Sequence, residues 1–462
     1  MRSMTGVRQA SLLAGSLAVM AGLCGGLPAA AQTLDEALVQ TYQSNPTLSA
    51  ARAQLRATNE RVPQALSGWR PTLEAQGSGG KAYDDDIRPT SDGDGRSPAG
   101  ADLTLTQPIY RGGRTIAGTD RAENEVLAQR SRLAVTEQDV LLSAVTAYAD
   151  VWRDQSVLEL NINNEQVLSR QLEATQDRFD VGELTRTDVA QSESRLSSAT
   201  ADRIGAQGNL SSSRATFENV IGVYPGTLEQ PSLPGGLLAS QEAIVDIAEA
   251  ANPLVLAANY DELAALRSVR EVEGELLPSV ELQGSLGYQH ERSSRSSEGS
   301  TAEVLAVVRV PLYQQGAVSS RVREAKQVAS QRRLDVRQAL RRAREDAISG
   351  WERLLTARAQ IASLQQSVRA SEIALEGVRQ ENAVGARTVL DVLDAEQELL
   401  DAQVGLVSAQ RDEIVASYQV LTAVGRMTAA DLGLATAVYD PEADYRAVRE
   451  KWFGLDAPGT ED

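Results

Sequence analysis

The sequence predicts a mainly α-helical chain with a small β part, written as two structural repeats of helix, strand, strand, long helix and helix. Three observations carry this reading. No proline occurs between Pro108 and Pro225 or between Pro311 and Pro441, so two stretches of more than a hundred residues can run as uninterrupted helix. A constant offset lays one half of the chain on the other. Period-two alternation of apolar and polar residues is confined to short segments between the helices.

Composition narrows the function classes. Hydrophobic residues are 42% of the 462 and aromatic residues 4%, too few large side chains for a thick globular core but enough for thin seams between helices. One histidine and one cysteine exclude most metal sites, haem ligation, thiol catalysis and histidine-based acid–base chemistry. No nucleophile-elbow, phosphate-loop or zinc spacing occurs, so neither an enzyme nor a cofactor is expected. The formal net charge of −18 argues against nucleic acid, which needs a basic footprint, and suits a protein that stays solvated over most of its surface or handles cations.

Residues 1–31 have the layout of a secretory signal peptide: Arg2 and Arg8, an apolar run from Ala10 to Leu27, then Pro28-Ala29-Ala30-Ala31 before Gln32. Cys24 follows Leu23 where a lipoprotein signal needs a small residue, so a lipid anchor is not expected. Removal after Ala31 takes away two positive charges, leaving −20, and the mature chain has no cysteine. No later segment is apolar over 18 residues, so any membrane crossing after export must use β-strands.

The first repeat is expected at 32–238, the second at 239–438, and a C-terminal tail at 439–462. An offset of 207 pairs Asn45-Pro46 with Asn252-Pro253 and Pro71 with Pro278; past a polar loop it becomes 203 and pairs Pro108-Ile109-Tyr110 with Pro311-Leu312-Tyr313 and Val181-Gly182 with Val384-Gly385. The four-residue difference falls within Lys81–Gly100 against His290–Ser300, where an exposed loop tolerates it.

In chain order, a helix of about 35 residues is expected over 33–67, followed by strands at about 70–83 and 101–110. A long helix follows from Gly113 to Phe179, about 100 Å at 1.5 Å per residue. Its seam is marked by Val140, Ala144, Tyr148, Val151, Leu158 and Ile162. After a tight turn a shorter helix spans 185–221. The second half repeats this, with strands at about 277–290 and 301–311 and a long helix from Gly316 to Asn382. The two short helices of each half are expected to stack end to end beside the long one, meeting at mid-height near Gly222–Gly236. The basic run from Arg321 to Arg344 is expected to pair with Glu271, Glu273 and Glu275, with contact to lipid head groups as a further possibility.

Four strands with one apolar face leave open edges and cannot seal in lipid alone. Two copies give 8 strands, a barrel that its own side chains fill, and three give 12 strands with a lumen. Three copies therefore make a trimeric α-barrel joined to a 12-stranded transmembrane β-barrel, a conduit through an outer membrane extended about 100 Å into the periplasm.

At this point the sequence resembles the TolC-type outer membrane efflux and type I secretion channels. The likeness spans Thr33 to Leu455 and is carried by the doubled layout, by Gln107-Pro108-Ile109-Tyr110-Arg111-Gly112-Gly113, by the turn from Val384 to Asp394, and by Tyr439-Asp440-Pro441-Glu442 with Lys451-Trp452-Phe453-Gly454-Leu455. The resemblance implies a homotrimer in outer membrane lipid that exports drugs, small molecules or proteins, working with a periplasmic adaptor protein and an inner-membrane transporter. It further implies a pore constriction at Asp391 and Asp394, a tip lock of Arg387 with Thr187 and Asp188, and adaptor docking at Val181, Gly182, Thr185, Val384, Gly385 and Thr388. Thr388 and Asp391 also form a capping box, as do Thr185 and Asp188, so Asp391 reads equally as a cap. Asn382 departs from the pattern, standing where a second family lock has a tyrosine. The rival readings are a periplasmic coiled-coil adaptor, which needs no alternating strands, and a porin, which needs no long helices.

Overall fold

The computed structural model describes residues 32–83, 96–236, 240–292 and 296–457. The expected leader, with Cys24, lies outside the described residues, as does much of the loop where the offset changes. The first helical segment is not the single helix expected. It comprises α1 (Leu34–Ser44), α2 (Pro46–Asn59), α3 (Arg61–Leu66) and a 3₁₀ turn at Ser67–Trp69. The ring of Pro46 forces the residue before it out of helical geometry, and Asn45 sits extended at φ −68°, ψ 122°. Pro63, with no N–H to donate to Asn59, accounts for the second break. The counterpart of Pro63 in the second half is Arg270, and there the helix Pro253–Glu273 runs unbroken through the site.

Strands β1 (Thr72–Gly79) and β2 (Ala99–Arg111) follow, then α4 (Arg114–Asp180) and α5 (Arg186–Ile221). The order recurs as α6 (Gln241–Ala251), α7 (Pro253–Glu273), β3 (Ser279–His290), β4 (Glu298–Arg309), α8 (Ala317–Ala383) and α9 (Val389–Ala423), ending in α10 (Ala443–Val448). The long helices α4 and α8 have 67 residues each, about 100 Å. Strand β1 is shorter than expected, at eight residues.

The strands form an antiparallel sheet in the order β1-β2-β3-β4. The register aligns Leu73 with Leu105, Leu105 with Gly284 and Gly284 with Val304, and two residues along, Ala75 with Leu103, Leu286 and Ala302. Because side chains alternate across a sheet, these apolar residues share one face, while Glu74, Thr104, Thr106, Glu281, Gln283 and Ser285 share the other. The apolar face is solvent-exposed, with Leu73 at 68% and Val304 at 74% accessibility. Strands β1 and β4 are the sheet's two edges among the described residues.

The helices meet the sheet through a close backbone approach. Gly112, at φ +65°, lies so near the Gly274 carbonyl that an added Cβ would sit 2.2 Å from it, so no other residue fits that turn.

Mid-height carries the main core. Leu141, Ala144, Val145, Tyr148 and Val151 of α4 are fully buried against Leu38, Leu48, Phe217 and Ile221. The expected seam holds through Leu158, which packs partly buried on this cluster, but Ile162 is 36% exposed. Beyond Val151 the buried positions of α4 are Asp154, Asn161, Leu168 and Thr175, a seven-residue step that turns the seam one residue away from Ile162.

The end-to-end stack is built by a repeated asparagine. Asn45 Oδ1 accepts from the N–H groups of Thr47 and Leu48, capping α2, while its Nδ2 donates to the Val220 carbonyl at the end of α5 at 2.9 Å. Asn252 does the same, capping α7 through Leu254 and donating to the Ala423 carbonyl of α9 at 2.9 Å. One side chain thus satisfies donors at one helix start and an acceptor at another helix end. Tyr148 Oη is within hydrogen-bond distance of the carbonyls of Gln32 (2.6 Å) and Glu229 (2.9 Å), pinning the segment after α5 to mid-height.

The basic run pairs as expected in part. Lys326 meets Glu273 at 3.0 Å and Arg321 meets Glu275, while Arg333 reaches Glu262 at 3.1 Å. Glu271 instead pairs with Arg121 of α4 at 2.8 Å, because α7 lies in the groove between α4 and α8 and serves both.

Candidate functional site

The far ends of the two helical hairpins, α4–α5 and α8–α9, hold every residue singled out for function. Each hairpin turns by the same chemistry. Gly182 and Gly385 adopt φ +83° and +79°, a left-handed conformation that ends a helix at little cost only for glycine. The backbone closes with Gly182 N–H to Phe179 O at 2.9 Å and Glu183 N–H to Arg178 O at 2.9 Å, and likewise Gly385 to Asn382 at 3.0 Å and Ala386 to Glu381 at 2.9 Å.

Thr185 and Thr388 then start α5 and α9. In each, the threonine hydroxyl donates to the aspartate three residues on at 2.7 Å, the aspartate accepts the threonine N–H at 2.9 Å, and the hydroxyl accepts the aspartate N–H at 3.3 Å for Asp188 and 3.2 Å for Asp391. These bonds favour the ionised carboxylate and hold both Asp188 and Asp391 below the ordinary carboxylate range. For Asp391 the hydrogen bonds from Thr388 set the sign. Just before those glycines, at the ends of the long helices, Val181 and Val384 stand 73% and 80% exposed.

Asp391 and Asp394 share a face of α9, since Val392 and Leu393 between them are buried. Leu393 and Val389 pack with Leu168 of α4 and Ala199 of α5, seating the start of α9 on the other hairpin. Asp394 is not free: Arg195 of α5 donates to its carboxylate across the two hairpins. Arg195 was not singled out from the sequence. The signal available was its place one helical turn beyond Gln191, the residue that matches Asp394 under the 203 offset.

Arg387 is exposed and turned to its own hairpin, donating to Glu381 at 2.9 Å and lying 3.8 Å from Asp391. Among the described residues it makes no bond to Thr187 or Asp188, which stand on the other hairpin. Asn382, at the departing position, donates from Nδ2 to the Arg387 carbonyl at 2.9 Å and so braces the same turn. Among the described residues no cluster of His, Cys, Asp and Glu could hold a metal ion. No described helix is long and apolar enough to cross a membrane.

A sheet with an exposed apolar face, set on paired helices of about 100 Å with capped turns at their far end, is the protomer of a channel-tunnel. The sequence profile of the outer membrane efflux protein family matches residues 37–223 and 244–426, one match in each half, and the chain belongs to that family. It is 36% identical over 448 residues to the outer membrane efflux protein BepC of Brucella suis, covering 97% of each chain. It is 26% identical to the outer membrane protein TolC of Vibrio cholerae, over 87% of this chain and 92% of that one. In fold it is similar to the crystal structure of the outer membrane protein VceC of Vibrio cholerae, with a TM-score of 0.74 at 20% identity over 85% of this chain and 96% of the other. The protein is thus an outer membrane efflux or secretion channel protein, not an enzyme.

Proposed function

We propose that three copies of this chain close into a 12-stranded barrel continued by a helical tunnel, and that the tunnel exports substrates delivered by an inner-membrane transporter through a periplasmic adaptor protein. The observation that carries this is the sheet: its exposed apolar face suits lipid, its polar face suits a lumen, and its two edges demand partners. The exposed turns Val181–Thr185 and Val384–Thr388 are the adaptor-docking surface. Small-molecule efflux is the preferred reading over protein secretion, since the 36%-identical relative is described as an efflux protein.

In this assembly the tip is the gate. Asp391 from each copy lines the constriction, while Asp394 serves first as the partner of Arg195. To close the lock, Arg387 exchanges its bond to Glu381 of its own chain for Thr187 and Asp188 of the adjacent copy. A photo-crosslinking residue at Val181 or Val384 tests the docking reading in cells. The expected product is an adduct with a periplasmic adaptor; adducts absent at both turns while present along the flanks of α4 would remove the turns from the docking surface.

A further inference from the structure

The motif Lys451-Trp452-Phe453-Gly454-Leu455 takes no part in the tip or the sheet, yet the chain carries it a long way to reach its place. From mid-height, where the Tyr439 N–H donates to Tyr42 Oη at 3.0 Å, the C-terminal segment climbs along α4 and α2. Glu442 pairs with Arg130 at 3.1 Å, Asp444 accepts from Asn59 at 2.7 Å, Arg449 pairs with Glu123 at 3.1 Å, and the Lys451 carbonyl accepts from Arg70 at 2.8 Å. Tyr445 packs against Val62, Ala122 and Val126 on the way. The partners rise steadily toward the sheet, ending at Arg70, two residues before β1 begins.

There the segment is held in a defined turn. Lys451 Nζ reaches the carbonyl and the carboxylate of Asp456, both at 3.1 Å, across Gly454 at φ +115°. The Arg70 guanidinium lies 4.8 Å from the Trp452 ring centre, and Phe453 packs on Trp452 at 6.2 Å. The turn nonetheless leaves Trp452 57%, Phe453 83% and Leu455 fully exposed. An ion pair and a strap that hold three large apolar side chains outward need something apolar to receive them.

The level identifies the receiver. The turn stands at the root of the sheet, beside the half-exposed Trp69 and where the exposed apolar face begins with Tyr110 and Val308. Tryptophan, phenylalanine and leucine set among Lys451 and Arg70 have the composition that settles at the boundary between head groups and acyl chains. We propose that residues 451–456 are a membrane-interface anchor that seats Trp452, Phe453 and Leu455 in the phospholipid of the periplasmic leaflet, continuous with the lipid belt of the barrel. This rests on the reading of the sheet as part of a membrane barrel.

The test places a nitroxide spin label at Leu455→Cys in the full chain carrying Cys24→Ser, reconstituted into phosphatidylethanolamine–phosphatidylglycerol vesicles, with Val304→Cys on the apolar sheet face as reference. Leu455 has no neighbours to lose, so the label does not disturb folding. The expected result is that both labels collide more often with dissolved oxygen than with a water-soluble nickel chelate. A label at Leu455 that collides mainly with the chelate, or with neither because another protein surface covers it, overturns the anchor while Val304 still reports lipid. An aqueous reading at Val304 itself overturns the barrel reading and the anchor with it. As a second measurement, brominated phospholipid should quench the tryptophan fluorescence of the native chain more than that of Trp452→Phe; equal quenching counts against the anchor.

Discussion

At Asp391 the structure shows a helix cap, the proposed assembly adds a place at the constriction, and the two separate experimentally. Its carboxyl lies below its ordinary value because Thr388 donates to it, so the linked stability is fully present above the unfolded-state value and is lost as pH falls through the folded one. The α9 turn should therefore hold its structure at neutral pH and loosen only in acid below the ordinary carboxylate range. In Thr388→Ala the Asp391 resonance should titrate at higher pH, and the missing cap should cost about 1 kcal/mol of local stability, read as faster amide exchange in the first turn of α9. An unchanged titration would mean that Thr388 does not set the charge. Tyr148 offers a second test. Burial raises its phenol well above the ordinary range, so it stays protonated near mid-height contacts with Gln32 and Glu229. Tyr148→Phe should destabilise the protein by about 1–3 kcal/mol in thermal unfolding, since a buried acceptor loses its donor. Residue roles of this kind were half legible. The capping boxes follow from spacing along the chain, whereas Arg195 with Asp394, and Glu271 with Arg121, join residues far apart in sequence whose pairing only the packing decides.

The elements were most readable where local chemistry alone sets them. The long helices end within a residue or two of the sequence boundaries because no proline interrupts them and glycines stop them. The first helix is less readable because Asn45-Pro46 marks the repeat and at the same time breaks the helix; the extended asparagine is what lets α2 start where α5 ends. Ile162 departs from the expected seam because the seam changes its step below the core. Two expectations belong to this scale. Gly385→Ala meets no atom within 4 Å but must hold φ near +79°, so it should strain the α8–α9 turn by about 1–2 kcal/mol without disturbing packing, seen as local amide exchange confined to that tip. Exchange unaltered there would show the turn to be less constrained than its dihedrals imply. Arg195→Ala unties α5 from α9 and frees Asp394, so single-channel conductance and cation preference should both rise. Wild-type values of both would leave the Arg195–Asp394 pair as a surface contact with no part in gating.

For the whole molecule, the repeat explains why one chain supplies two nearly equivalent hairpins that end in the same capped turn, and the sheet explains why one chain is insufficient. On the proposed reading, the exposed apolar face and the two sheet edges unpaired among the described residues are tolerable because other copies close the barrel and lipid surrounds it. The central claim is therefore assembly into a conducting trimer, and it is tested most directly by measuring the mass of the purified protein in detergent together with its conductance in planar bilayers. A trimer that opens discrete, cation-preferring channels is the predicted result. A stable monomer that leaves the bilayer silent would contradict the account.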